Sequence, residues 1–355
     1  MSRIRARTAI AIASVAIVVL ASAAPVFAVT NRWAWVVARH ASTAGYTPAA
    51  LDQGSSESAT NSVARSSVGR YVVTLGNQGA VAASGMVHAS AMGSQANFCN
   101  VNGWGPSGAD LTASVRCFDR TGSRTDSQFI VVFQMTNSNQ GSEAHVWADQ
   151  PMNPIYQPNA NYSYNSHAGQ QNWVTRASVG KYTVSFGGLG STKGSVQVSA
   201  YGDHRVACRA SRWYDNGTNE WVIVLCRDPL GHLVDSRFDV TFVQSQGLKG
   251  QFGGPAAYLW ANRPTVASYH PDPAYRWSAP RARSTVSRTN VGVYSVKLPS
   301  MPLGGAALVT PTGTGKARCV IASIRISAAP QRVGVRCFNI AGAPADAPFA
   351  LAYLK

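Results

Sequence analysis

The sequence predicts an all-β chain: three tandem modules, each a β-sandwich or compact barrel with one internal disulfide, following an N-terminal signal peptide. Three observations predict it. One motif set recurs three times in fixed register, each copy holds two cysteines at one spacing, and apolar residues within the copies alternate with a period of two.

The repeat is plainest in Val-x-Arg-x-x-Val-Gly-x-Tyr-x-Val. It stands at Val63, Arg65, Val68, Gly69, Tyr71 and Val73, then at Val174, Arg176, Val179, Gly180, Tyr182 and Val184, and again at Val286, Arg288, Val291, Gly292, Tyr294 and Val296. The cysteines follow as Cys99 and Cys117, Cys208 and Cys226, and Cys319 and Cys337, 18 positions apart in each copy. Behind the second cysteine come Gly122, Asp126, Phe129 and Phe133; Gly231, Asp235, Phe238 and Phe242; and Gly342, Asp346, Phe349 and Tyr353. From Gly85, Gly194 and Gly305 to the last aromatic the distance is 48 residues every time. Length differences fall just before those glycines, which marks that segment as a surface loop.

A tryptophan segment is expected to open each module. Trp147-Ala-Asp149 and Trp260-Ala-Asn262 stand nine residues before Tyr156 and Tyr269, and Trp33 and Trp35 stand ahead of Tyr46. The expected boundaries are 1–28 for the signal peptide and 31–138, 143–246 and 256–355 for the modules, with polar, Gly-rich joints at 137–142 and 244–254. Arg3, Arg5 and Arg7 precede an apolar run from Ala9 to Ala24 and then Val26-Phe-Ala28. This is the layout of a Sec-type signal peptide cleaved after Ala28, with a run too short to span a membrane comfortably. The expected destination is secreted or extracellular.

Tyr182-Thr-Val-Ser-Phe186, Val196-Gln-Val-Ser-Ala200 and Phe238-Asp-Val-Thr-Phe242 alternate apolar and polar residues, whereas Trp221 to Cys226 reads as a strand buried on both faces. Six to eight strands per module are expected. Six cysteines in an exported chain read as disulfides, and the constant spacing selects Cys99–Cys117, Cys208–Cys226 and Cys319–Cys337. No Cys-x2-Cys or neighbouring histidine cluster suggests a metal, and no cofactor is expected. Arg65, Arg176 and Arg288 recur with Asp126, Asp235 and Asp346. They read as structural, through an Arg–Asp bridge or an aspartate fixing its turn. Trp104, Trp213 and Ile324 share one position and read as core. Trp221, matched by Thr112 and Arg332, reads as exposed or local.

The seven histidines occupy no shared position, and no nucleophile elbow, His-Glu-x-x-His or calcium loop appears. Gly313-Thr-Gly-Lys316 fails as a phosphate loop because Ala317 and Thr310 stand where a hydroxyl residue and the first glycine belong. No catalytic residues are therefore assigned. Charge is more informative. Residues 262–355 hold twelve basic and two acidic residues, a net of +10, against +1 for residues 29–148 and +2 for residues 149–261. Such a field attracts polyanions, and Arg281, Arg283, Lys316, Arg318, Arg325, Arg332 and Arg336 are its candidate contacts.

The pattern Val-Gly-x-Tyr-x-Val, then Cys…Cys-x4-Gly-x3-Asp-Ser-x-Phe-x-Val-x-Phe, resembles tandem Cys-containing β-rich repeats of secreted actinobacterial proteins. The resemblance covers nearly all of the mature chain; Asp126-Ser127 and Asp235-Ser236 fit it and Asp346-Ala347 departs from it. It implies a β-rich extracellular module and carries over no catalytic residues. The function expected is a non-catalytic binding or surface-interaction protein. Its expected partners are an anionic cell-wall polymer, a polysaccharide or a membrane surface, with no specific nucleic-acid motif. The alternative is a secreted hydrolase or inhibitor whose site lies in variable loops.

Overall fold

A computed structural model describes residues 31–136, 141–190, 193–250 and 253–355. The expected signal peptide lies outside the described residues. Module one contributes β1 (Arg32–Ala38), β2 (Gly45–Tyr46), β3 (Gln53–Ser55), β4 (Ser62–Ser67), β5 (Arg70–Leu75), β6 (Met86–Met92), β7 (Phe98–Ser107), β8 (Asp110–Phe118) and β9 (Gln128–Met135). Module two contributes β10 (Ser142–Ala148), β11 (Ile155–Tyr156), β12 (Ser163–Asn165), β13 (Asn172–Ser178), β14 (Lys181–Phe186), β15 (Ser195–Tyr201), β16 (Ala207–Asp215), β17 (Glu220–Arg227) and β18 (Arg237–Gln244). Module three contributes β19 (Ala256–Ala261), β20 (Ser268–Tyr269), β21 (Arg276–Ser278), β22 (Thr285–Asn290), β23 (Val293–Leu298), β24 (Ala306–Pro311), β25 (Arg318–Ile324), β26 (Gln331–Phe338) and β27 (Phe349–Leu354). The count exceeds the expected six to eight because each module carries edge strands of two or three residues, too short to show a period.

Every module is a two-sheet sandwich. The outer sheet of module one runs β2-β4-β5-β8-β7 and its inner sheet β3-β1-β9-β6. Modules two and three repeat this as β11-β13-β14-β17-β16 with β12-β10-β18-β15, and β20-β22-β23-β26-β25 with β21-β19-β27-β24. Alternation explains the outer sheet, where Tyr71, Val73 and Leu75 of β5 point into the core and the residues between them reach solvent. The inner sheet is covered on both faces, so β27 is buried at every position. The opening segments pair with the last strand of their own module, Trp147 opposite Asp239 and Trp260 opposite Ala350. In module one the matching position is Val37, opposite Ile130, and not Trp33 or Trp35 as the sequence suggested.

The modules close into a ring. Tyr201 of β15 pairs in parallel with Val101 of β7, Thr312 beyond β24 with Ala210 of β16, and Met92 of β6 with Ile321 of β25. The three bridges occupy one register position. At the centre, where β6, β15 and β24 meet, hydroxyls cross from module to module. Ser199 Oγ accepts from the Ala89 amide at 3.1 Å, Thr310 Oγ1 from Val198 at 2.9 Å and Ser90 Oγ from Val309 at 3.1 Å. A hydroxyl five residues after the fixed-register glycine thus satisfies a neighbour's buried amide, which would otherwise cost about 1–3 kcal/mol.

Tryptophan fills two of the three junctions. Trp104 meets Trp147 at 6.2 Å between ring centres and Trp213 meets Trp260 at 4.9 Å; at the third junction Ile324 and Val37 lie in one buried cluster. These residues are core, but the core lies between modules. The second joint is also packed rather than exposed. Gln246, Leu248 and Lys249 are buried, Gln246 Nε2 donates to Glu143 at 2.8 Å, and Lys249 Nζ donates to the Lys355 carbonyl and sits 4.1 Å from the Trp33 ring centre.

Candidate functional site

The repeated arginines and aspartates meet at one spot in each module. Arg65, Arg176 and Arg288 each grip Asp126, Asp235 and Asp346 with Nε and Nη2, at 2.7–2.9 Å. The same carboxylate accepts from the amides of Gly69, Gly180 and Gly292 at 2.9, 2.9 and 2.8 Å, and from the hydroxyls of Tyr71, Tyr182 and Tyr294 at 3.1, 2.9 and 3.0 Å. The tyrosine oxygen in turn accepts from the amide after the aspartate. The glycine must be glycine: its φ is +64°, +63° and +64°, and a Cβ would stand 2.5–2.8 Å from the carbonyl of Cys117 or Cys226 and 2.4 Å from that of Cys337. Beside it, disulfides join Cys99–Cys117, Cys208–Cys226 and Cys319–Cys337, each across paired strands. The Arg288 guanidinium holds Asp346 down at about 2, and Asp126 and Asp235 are lowered by the same cause. Each of these carboxylates accepts from an arginine, a glycine amide and a tyrosine of its own module, so the geometry ties turn, strand and tyrosine together.

The seven basic residues singled out in the sequence fall in three places. Arg332 and Arg336 share the outer sheet of module three with Lys297, which lies directly opposite Arg332, and Arg325 follows the end of β25 at the same groove. A shallow groove of about 710 Å³ crosses this face at Gly334, where a Cβ would stand 2.6 Å from Ser323 Oγ. The strands of this sheet contain no acidic residue; Asp346 is held by Arg288 and Asp272 caps the turn at Ala274. Arg281 and Arg283 line a separate cleft of about 550 Å³ with Arg276 and Trp277. Lys316 and Arg318 lie where module three meets module two, Lys316 beside Gly231 and Arg318 beside Asp228. Arg318 belongs to no surface: it is 7% exposed, donates to the carbonyls of Arg120 and Asp228, and lies 4.5 Å from the Phe98 ring centre. Burial pushes its guanidinium down to about 10.

Module two presents a different face. Trp173, Ser185, Trp221 and Tyr214 are neighbours in one row across β13, β14, β17 and β16, on the side opposite the core residues Val184 and Val222. Trp173 and Tyr214 are 40% and 38% exposed. Two strand spacings, about 10 Å, separate the backbones bearing the two tryptophans. The sequence signalled only Trp221, because the alternation that turns Trp173 and Tyr214 outward is visible only once the strands are paired.

Acidic and histidine side chains do converge, but in the interior. His88 Nε2 lies 2.8 Å from Thr241 Oγ1, and Gln134 Nε2 and Thr136 Oγ1 donate to Glu143 at 3.2 and 2.8 Å. Burial pushes Glu143 up to about 8 and drives His88 and His145 down to about 3 and about 4. Among the described residues this network is closed to solvent, since Glu143, His145 and His88 are at most 1% exposed. Among the described residues no group of three or more metal-ligating side chains gathers, and no helix is long and apolar enough to cross a membrane. Three disulfides fit an oxidising, extracellular setting. No protein-family model, curated protein or solved structure matches the chain.

Proposed function

We propose that this protein is a non-catalytic binding protein for anionic polymers outside the cytoplasmic membrane, exported by its Sec-type signal peptide. The observation that carries the reading is the outer sheet of module three, where Arg325, Arg332 and Arg336 line an open groove, Lys297 stands opposite Arg332, and no strand of the sheet supplies an acid. A polymer laid along the groove exchanges counterions for guanidinium groups already fixed by the sheet, so affinity depends steeply on salt. The test is titration of the mature chain with heparin and with polyglycerol phosphate at several salt concentrations. Arg325→Gln/Arg332→Gln/Arg336→Gln is expected to weaken binding about tenfold or more and to flatten the salt dependence. Unchanged affinity in a folded triple variant refutes the assignment.

The aromatic row of module two supports a second contact, to the sugar rings of a polysaccharide. Flat rings on a rigid sheet suit stacking against pyranose faces, and Arg212, 4.6 Å from the Tyr214 ring centre, borders the row. Trp173→Ala/Trp221→Ala is expected to lose binding on a glycan array while leaving heparin binding in place. An unchanged array profile removes this part of the reading.

A further inference from the structure

Where module one meets module two, three guanidinium groups converge on a single carboxylate and a fourth lies beside them. Arg70 opens β5 and is paired directly with Arg116 on β8. Arg124 lies in the turn that follows β8. Arg205 reaches over from the loop between β15 and β16, close enough that a Cβ on Gly122 would lie 3.0 Å from its Cδ. Asp203, from the same loop, lies 3.4 Å from Arg70 Nη2 and 3.9 Å from Arg116 Nε, and contacts Arg124 Nη2. The local balance is four positive charges against one negative. Asp119, the other carboxylate of the turn, is taken up by Thr121 and Ser123.

The fold does not require this cluster. At the junction of modules two and three the five equivalent positions are Lys181, Leu225, Leu233, Thr314 and Lys316; at the junction of three and one they are Val293, Arg336, Pro344, Ser94 and Ala96. Both junctions close with the same parallel bridge without a central carboxylate. The arginines are also underused. Arg116 Nε and Arg124 Nη1 are buried without a hydrogen-bond partner, although their side chains are 14% and 24% exposed overall. Burial, and then the neighbouring Arg70, lower both guanidinium pKa values, as like charges crowded together must. Arg124 is further fixed by stacking 4.9 Å from the Phe118 ring centre, so its fork is aimed before any ligand arrives.

We propose that Arg70, Arg116, Arg124 and Arg205 form a binding site for a compact, multiply charged oxyanion, a sulfate or phosphate group borne by an extracellular polymer, and that Asp203 is the internal occupant it displaces. Asp203 is suited to yield. Its side chain is 37% exposed and it follows Gly202, whose φ of +113° is a conformation that glycine adopts without strain. An oxyanion offers three or more acceptors to guanidinium groups that now share one carboxylate. The site shares no residue with the face of module three and stands or falls separately from it.

The experiment titrates the mature chain with inorganic sulfate and inorganic phosphate against chloride at constant ionic strength. A sulfated oligosaccharide and polyglycerol phosphate then distinguish the two sources of the group. Asp203→Asn is expected to tighten sulfate binding about threefold or more, because it removes the competing carboxylate while leaving the arginines. Arg116→Gln/Arg124→Gln is expected to weaken it about tenfold. The more exposed Arg70→Gln, expected to weaken it about threefold, serves if the double variant does not fold. The same substitutions are repeated in an Arg332→Gln/Arg336→Gln background, where their fold-changes in sulfate affinity are expected to persist, which separates this site from the module-three face. If Asp203→Asn lowers the melting temperature and leaves sulfate affinity equal or weaker, the cluster is a clamp between modules and the proposal is wrong. It is equally wrong if folded arginine variants bind sulfate as the parent does.

Discussion

Removing Asp235 deletes one acceptor shared by three donors, and the cost can be worked from its surroundings. The Arg176–Asp235 pair is partly exposed, 23% and 13% for the two side chains, so the lost ion pair itself contributes about 1 kcal/mol after solvent screening. The Gly180 amide loses its acceptor, at a cost of about 1–2 kcal/mol. Tyr182 keeps the carbonyl of Pro151 at 3.2 Å and adds little. Asp235→Ala should therefore destabilise the chain by ~2–3 kcal/mol. Arg176→Ala leaves Asp235 with two donors and should cost ~1 kcal/mol. The double variant should fall short of the sum by ~1 kcal/mol, the coupling of the pair. Urea unfolding of the chain from residue 29 onward, with hydrogen exchange read at the Gly180 amide, measures all three. If Asp235→Ala unfolds within ~0.5 kcal/mol of the parent and Gly180 stays protected, the carboxylate does not organise the turn and the reasoning fails.

Three further outcomes follow. Replacing Cys208 and Cys226 by alanine should lower stability by ~3 kcal/mol, and non-reducing peptide mapping of the parent should yield three bridges, none between modules. Trp213→Ala, at a junction also lined by Trp260 and Tyr275, should cost ~3–5 kcal/mol and open modules two and three to hydrogen exchange together; a loss confined to module two would contradict the shared core. Glu143 has a folded pKa raised to about 8, so its contribution is complete below the unfolded value of ~4.3 and is lost as pH rises toward 8. His88 and His145, lowered to about 3 and about 4, act oppositely and stop contributing to the slope above their unfolded value of ~6.5. Stability should thus decline between pH 6.5 and 8, and Glu143→Gln should flatten that decline; an unaltered slope would count against a buried neutral Glu143.

Much of the fold was legible because each module repeats its own constraints. The glycine before Tyr71, Tyr182 and Tyr294, the cysteine spacing and the aspartate four residues after the second glycine hold their register because one hydrogen-bonded knot needs them all. Strand period revealed the sheets for the same reason, since inward Tyr182 and Val184 alternate with outward Thr183 and Ser185. What composition could not show was the ring. Ser90, Ser199 and Thr310 share a position in the repeat, yet a hydroxyl in a strand carries no mark of the amide it will meet in another module. Trp104 and Trp213 looked like core within a module because sequence records apolarity and not which core. The charge of module three was legible as a total, but its division into a sheet face, a cleft and the buried Arg318 depended on pairing register. The arginines around Asp203 were missed because they come from two modules whose net charges are each near neutral.

The head-to-tail bridges give one polypeptide the logic of a cyclic trimer. Each contact joins unlike surfaces, and only because the rotation closes after three does the assembly end instead of growing into a filament. Two of the junctions connect modules already tethered by short joints. The third, between β25 and β6, joins segments more than two hundred residues apart, yet residues 31 and 355 both lie against Lys249 in the packed second joint. Tethering keeps the third surface at high effective concentration, so it need not be strong enough to associate free subunits. Copies inside one chain are also free to diverge, as three identical subunits are not. That freedom allows a cationic sheet, an aromatic row and an arginine cluster to stand at different stations of one ring.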